Sequence, residues 1–198
     1  MMERSTRFLS LSGLSGISAG IVALIGAFAM ATYLGMDTYS FSERQALIEF
    51  PTKKWGMTPL TFLILDAGLV MLFALLFGLY FTNRKARKSG KKIWTKASRR
   101  LAFNSAVPLA VGGLFCLIML THGYFGMVAP GMLIFYGLAL YAGGMYTLNE
   151  IRWLGGCEMV LGLSAAYFPG YGLQFWMLGF GVLHIVYGAY MYFKYERE

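Results

Sequence analysis

The chain has 198 residues, 58% hydrophobic and 17% aromatic, and only 13% charged. A water-soluble domain of this length would be about a quarter charged, which argues against a soluble fold. The formal charge of +8 does not point to nucleic acid, because nine of the seventeen Lys and Arg residues fall in the one stretch 83–100, between apolar segments. That placement reads as a topology signal with attraction to anionic lipid headgroups.

No charge lies between Arg7 and Asp37, and Leu14 to Gly35 supplies the roughly 20 apolar or small residues that a helix needs to cross a bilayer. Arg4, Arg7 and the Ala27-Phe28-Ala29 triplet resemble a secretory signal with a cleavage site, and the segment is expected to be retained as a span. Ser15, Ala19, Ala23, Ala27 and Ala31 recur every four residues, with Ser12, Gly16 and Gly20 in a row beside them. Small residues at this spacing let another helix approach closely in lipid, so the face reads as helix contact.

The connection 36–58 balances three acids against three bases and suits the outer side. Ser42 with Gln45 forms a capping-box pattern, which predicts a short outer interfacial helix over Ser42 to Phe50. Pro59 opens a second span, 59–82, whose single charge is Asp66. The basic stretch follows, carrying Arg84, Lys85, Arg87, Lys88, Lys91, Lys92, Lys96, Arg99 and Arg100. Further spans are expected at 101–122, with Asn104 and Pro108, at 127–148, at 150–168 with Asn149 as its cap, and at 173–193. The outer connections 36–58, 123–126 and 169–172 carry no net charge, while the inner ones hold the surplus. The expectation is an all-α membrane protein: one domain, a six-transmembrane-helix bundle, with both termini cytoplasmic (N-in/C-in). Tyr136-Gly137 followed by Tyr141 parallels Tyr187-Gly188 followed by Tyr192, an offset that fits a duplicated helical hairpin.

Titratable groups at membrane depth are the best functional signal, since a charge left in hydrocarbon costs ~3 kcal/mol or more. Asp66, Glu158 and His184 qualify, and Asn104 is a candidate for bonding across helices. They read either as a proton or cation relay, or as neutral groups satisfied by neighbouring helices. Glu150 and Arg152 stand at the inner boundary of their span, where Arg152 reads as an anchor to lipid phosphate or a partner for a carboxylate. Cys116 and Cys157 fall at different depths, so no disulfide is expected. Two histidines at different depths and no closely spaced His, Cys or Glu set imply no metal and no cofactor. There is no G-x-S-x-G, no H-E-x-x-H and no phosphate loop, so no catalytic residue is assigned.

Ala129-Pro130-Gly131-Met132-Leu133, 149–155 (NEIRWLG) and 179–188 (GFGVLHIVYG) resemble segments of small polytopic bacterial membrane proteins of no assigned activity. The resemblance covers roughly 99–195 and implies a bacterial plasma (inner) membrane setting. Three functions remain open. The first is an accessory, sensing or partner-binding membrane protein, acting through a membrane-protein partner or a second copy. The second is a transporter or channel for a small solute or ion, using Asp66, Glu158 and His184. An intramembrane enzyme is third. The thin polar inventory places the accessory reading first.

Overall fold

The computed structural model describes residues 13–35, 55–88, 90 and 95–195. The connection holding Ser42 to Phe50, and with it the expected interfacial helix, lies outside the described residues, as do Ser12, Lys91 and Lys92. Long uncharged runs become helices because an apolar chain without water must pair every backbone N–H and C=O within itself. These are α1 (Gly13–Leu34), α2 (Pro59–Lys88), α3 (Lys96–Thr121), α4 (Val128–Gly144), α5 (Asn149–Tyr167) and α6 (Gly172–Tyr195). Within α6, Met177–Leu183 forms a π-helical segment.

The ends are set locally. Thr95 caps α3: its side chain accepts from the Ser98 backbone while Ser98 accepts from the Thr95 backbone N–H, a reciprocal box. His122 ends α3, Gly123 turns the chain at φ +78°, and a 3₁₀ turn at Phe125–Met127 leads into α4. Asn149 is the first residue of α5 rather than its cap; extended Leu148 precedes it without a side-chain cap. The basic stretch is largely taken into the flanking helices, with Arg84, Lys85, Arg87 and Lys88 ending α2 and Arg99 and Arg100 opening α3.

Helices consecutive in the chain are antiparallel, as are α1 and α6, whereas α4 and α6 run in the same direction. Gly26 of α1 lies against Val70 and Asp66 of α2, and Gly13 against Gly188 and Tyr192 of α6. Ser105 of α3 donates to the Ala139 carbonyl of α4 at 3.0 Å. Gly137 of α4 meets Gly155 of α5, and Glu158 of α5 meets Gly179 of α6. Laterally the order is α2, α1, α6, then the α4/α5 pair, then α3. Chain direction therefore gathers Lys88, Lys96, Gly144, Asn149, Tyr195 and Gly13 at one end, termed here the basic end. At the other end Tyr33 pins α1 to α2, stacking on Phe62 at 4.2 Å and donating to the Met57 carbonyl at 2.7 Å.

The small-residue stripe of α1 is used inside the chain. Ser15, Gly20, Ala23 and Ala27 are buried, and Gly13, Gly16 and Gly20 lie on α6. By contrast α2 exposes apolar side chains around its circumference, including Leu65, Leu69, Met71, Leu72, Leu75 and Leu76. Hydrocarbon satisfies such a helix; water does not.

Five of the helices, all but α5, are long and apolar enough to cross a membrane. α5 is 19 residues long but carries Glu150, Arg152 and Glu158. It packs on α4 and α6 with one face and exposes Trp153, Val160, Leu163 and Tyr167 on the other.

At Gly188 a Cβ would meet the Ile17 N and the Gly13 O of α1, backbone atoms that cannot swing aside. Gly188→Ala should therefore cost about 1–3 kcal/mol as overpacking. Gly156, with nothing near its Cβ position, should accept Ala with a gain of up to about 1 kcal/mol. Thermal unfolding in detergent checks both, and equal shifts would contradict the α1–α6 packing.

Candidate functional site: a buried acid, imidazole and phenol

On α5 the buried positions are Ile151, Leu154, Gly155, Glu158, Gly162 and Ala165, a helical stripe with the carboxyl group at its centre. Turning Glu158 outward would turn the whole stripe out. The sequence thus commits an acid to the interior, and its side chain is fully buried. On α6 the same logic directs His184 inward, between Gly181, Gly188 and Met191.

The two side chains meet. His184 Nδ1 lies 3.4 Å from Glu158 Oε1 and 2.9 Å from the Gly179 carbonyl, while His184 Nε2 lies 2.8 Å from the Tyr136 hydroxyl of α4. A carbonyl only accepts, so Nδ1 carries the hydrogen and donates it to Gly179. Nε2 of the neutral ring then accepts from Tyr136. Glu158 is within ion-pair distance of the imidazole, yet neither of its oxygens has a hydrogen-bond partner among the described residues. The 3.4 Å approach is electrostatic proximity, because the Nδ1 hydrogen points at the shorter, carbonyl contact.

The π segment makes room for this. It is wider than an α-helix, and such segments often mark functional positions. Here it brings Gly179 against the carboxyl: a Cβ at that position would run into Glu158 Oε2 and Leu133 Cδ2. Only glycine permits the approach. Phe180 covers the cluster, with ring centroids 4.9 Å from Tyr136 and 6.0 Å from His184, and Trp176 lies 5.1 Å beyond it. These rings shield the polar atoms from surrounding lipid or water.

A second polar group closes the basic end. Glu150 Oε1 accepts from Lys194 Nζ at 2.6 Å and from the Tyr195 hydroxyl at 2.7 Å, tying the start of α5 to the end of α6. Arg152 meets no carboxylate among the described residues: it donates to the Tyr141 hydroxyl of α4 at 3.0 Å, with its guanidinium over that ring.

Of the residues singled out from sequence, Glu158 and His184 come together. Asp66 does not join them; it lies at the α1–α2 seam beside Gly26 and makes no hydrogen bond or ion pair among the described residues. Asn104 bonds within its own helix, to the Arg100 carbonyl at 2.8 Å, and the interhelical bond expected of it is made by Ser105. Arg84, Arg87, Lys88, Arg99 and Arg100 are exposed at the basic end. Cys116 and Cys157 are free thiols. Tyr136 was legible only as packing; its place one helical turn from Leu133, on the face toward α6, is the signal that would have singled it out.

Comparison with protein families, curated proteins and solved structures finds no match. The class of protein is accordingly set by the fold and the site: an all-helical chain with five helices compatible with membrane crossing, holding an acid–imidazole–phenol cluster in its interior.

His184→Phe strands Glu158 and the Gly179 carbonyl and should cost about 3 kcal/mol, the scale of breaking a buried pair from one side. Glu158→Met in addition should restore roughly 1 kcal/mol or more of that loss. A double-mutant cycle by thermal unfolding in detergent measures the coupling, and strictly additive losses would show that the two side chains do not interact.

Proposed function

We propose that this chain is a bacterial plasma-membrane protein of six spans, N-in and C-in, that takes up and releases a proton at Glu158 and His184 and moves it across the bilayer. The observation carrying the reading is the fully buried Glu158 carboxyl, without a hydrogen-bond partner among the described residues and 3.4 Å from an imidazole nitrogen. An acid kept at membrane depth marks an ion or proton pathway in many bundles. A proton is favoured over a larger cation because on the Gly179 side even a methyl group would collide with Oε2. His184 is suited to pass a proton on, since its two ring nitrogens face opposite partners, Glu158 with Gly179 on one side and Tyr136 on the other.

The orientation follows from charge. Arg84, Lys85, Arg87, Lys88, Arg99 and Arg100 gather at the basic end, which is therefore the cytoplasmic one, against anionic headgroups. Lys96, Arg99 and Arg100 sit at a helix N-terminus, where the backbone dipole disfavours cations. Retaining them there argues for a membrane surface as their counterpart. The partner-binding reading loses its main feature, because the small-residue stripe of α1 packs on α6 within the chain.

In proteoliposomes under a potassium diffusion potential, the protein should acidify a lumen containing a pH-sensitive dye. Glu158→Gln should slow this by about 100-fold, the scale of losing a proton-transfer group. Flux that ignores Glu158→Gln, or no flux from the unaltered protein, would reject proton transport. A cysteine in place of Lys88, in a background lacking Cys116 and Cys157, should react with an impermeant maleimide only after the cell membrane is opened; labelling of intact cells would invert the topology.

A further inference from the structure

Asp66 is the acid that the interior cluster leaves unused. It lies about 10 Å along α2 from Pro59, within a stretch otherwise free of charge. A Cβ at Gly26 of α1 would stand 3.3 and 3.4 Å from its two carboxyl oxygens and crowd Val70 Cγ2, so glycine is what lets the acid lie against α1. No counter-charge meets it among the described residues. α1, the helix packed on α2, carries no charged side chain, and its one titratable group, the Tyr33 hydroxyl, is committed to the Met57 carbonyl. The next cation along α2 is Arg84, roughly 27 Å away. An acid at membrane depth persists only when something compensates it.

The end of the same seam is aromatic. Phe62 precedes Asp66 by one helical turn, which sets the two side chains next to each other on α2. Tyr33 stacks on Phe62 at 4.2 Å, and Trp55 meets both rings edge-on, at 5.7 Å from Tyr33 and 5.8 Å from Phe62. Tyr33 is fully buried, Phe62 half-buried and Trp55 58% exposed. Trp55 holds φ +54°, a strained backbone for a bulky residue, immediately before Gly56 at φ +75°. That strain is kept where it holds an indole against the Tyr33–Phe62 pair. The geometry points to this seam as a binding site for an organic ammonium ion with an apolar body. Asp66 supplies the opposite charge, and the Phe62 and Trp55 rings supply π faces and apolar contact. Metal cations take several oxygen ligands, and no group of three acids, histidines or cysteines gathers among the described residues. Asp66 is half-buried and Ile64, Leu65 and Leu69 beside it are exposed, so the ion reaches the seam from the lipid side, a route that favours an apolar body. The site needs nothing from the proton-handling cluster.

The probe is radiolabelled benzyltrimethylammonium, measured by equilibrium dialysis against the full chain in dodecyl maltoside, a detergent with an uncharged head group. Neopentylbenzene, in which carbon replaces the charged nitrogen, is the neutral control. The cation should bind saturably with a Kd of about 1 mM or tighter, and the control should only partition into the micelle. Asp66→Asn should weaken binding about 30-fold or more, as for losing one partner of a desolvated charge pair. Trp55→Leu should weaken it about 3-fold, the scale of one cation–ring contact. Asp66→Glu, which keeps the charge, should retain saturable binding, and an unchanged thermal unfolding curve shows that Asp66→Asn is folded. If Asp66→Asn proves unfolded, unchanged affinity in Trp55→Leu overturns the site in its place. Lack of saturable binding by the unaltered protein, or equal binding of the neutral control, would overturn it directly. Binding that survives Asp66→Asn but disappears in Glu158→Gln would move the cation to the interior cluster and overturn the site as well.

Discussion

A carboxyl group surrounded by apolar helices must be matched by something close, and in this chain the match is arranged from three directions. α5 supplies the acid, α6 the imidazole and the carbonyl that orients it, and α4 the phenol that holds the far ring nitrogen. Much of the bundle's geometry serves this arrangement. Gly179 lets α6 approach the carboxyl, the π segment sets that glycine in place, and Phe180 and Trp176 cover the result. Removing any one partner leaves another polar atom stranded where water does not reach, so the cluster and the packing of α4, α5 and α6 stand or fall together.

The remaining helices play different parts. α1 clasps α6 through backbone-to-backbone contacts at Gly13 and Gly188. This clasp lies along the same turns of α6 that carry His184 and Tyr187. α2 and α3 are peripheral, and α2 holds to the rest chiefly through α1. Asp66, on that outer seam, is chemically separate from the interior acid, and the two carboxyl groups need not share a role.

The polarity of α5 also explains its place in the lateral order. With Glu150, Arg152 and Glu158 along one helix, it is the least suited of the six to face lipid on its own. Glu150 is bonded by Lys194 and Tyr195 and Arg152 by Tyr141, while Glu158 has the His184 ring beside it at 3.4 Å. Polar contacts thus fasten both the middle and the basic end of the α4–α5–α6 core, whereas α1 approaches α6 closely at Gly13, Gly16, Gly20 and Gly188.

The helices were legible in the sequence because hydrocarbon-length runs without charge admit few other structures, and the gathering of cations at one end was legible for the same reason. The inward direction of Glu158 was legible too, since it shares a helical stripe with Leu154 and Gly162. What the sequence could not decide was which polar groups meet. Asp66, Glu158 and His184 look alike as isolated charges within apolar runs, and their pairing depends on the lateral order of helices, which close contacts at single glycines determine. The π segment was invisible because Met177–Leu183 has the composition of ordinary helix. Burial along each helix was thus set by the chain's own pattern, while the meeting of acid, imidazole and phenol was set only when the helices packed.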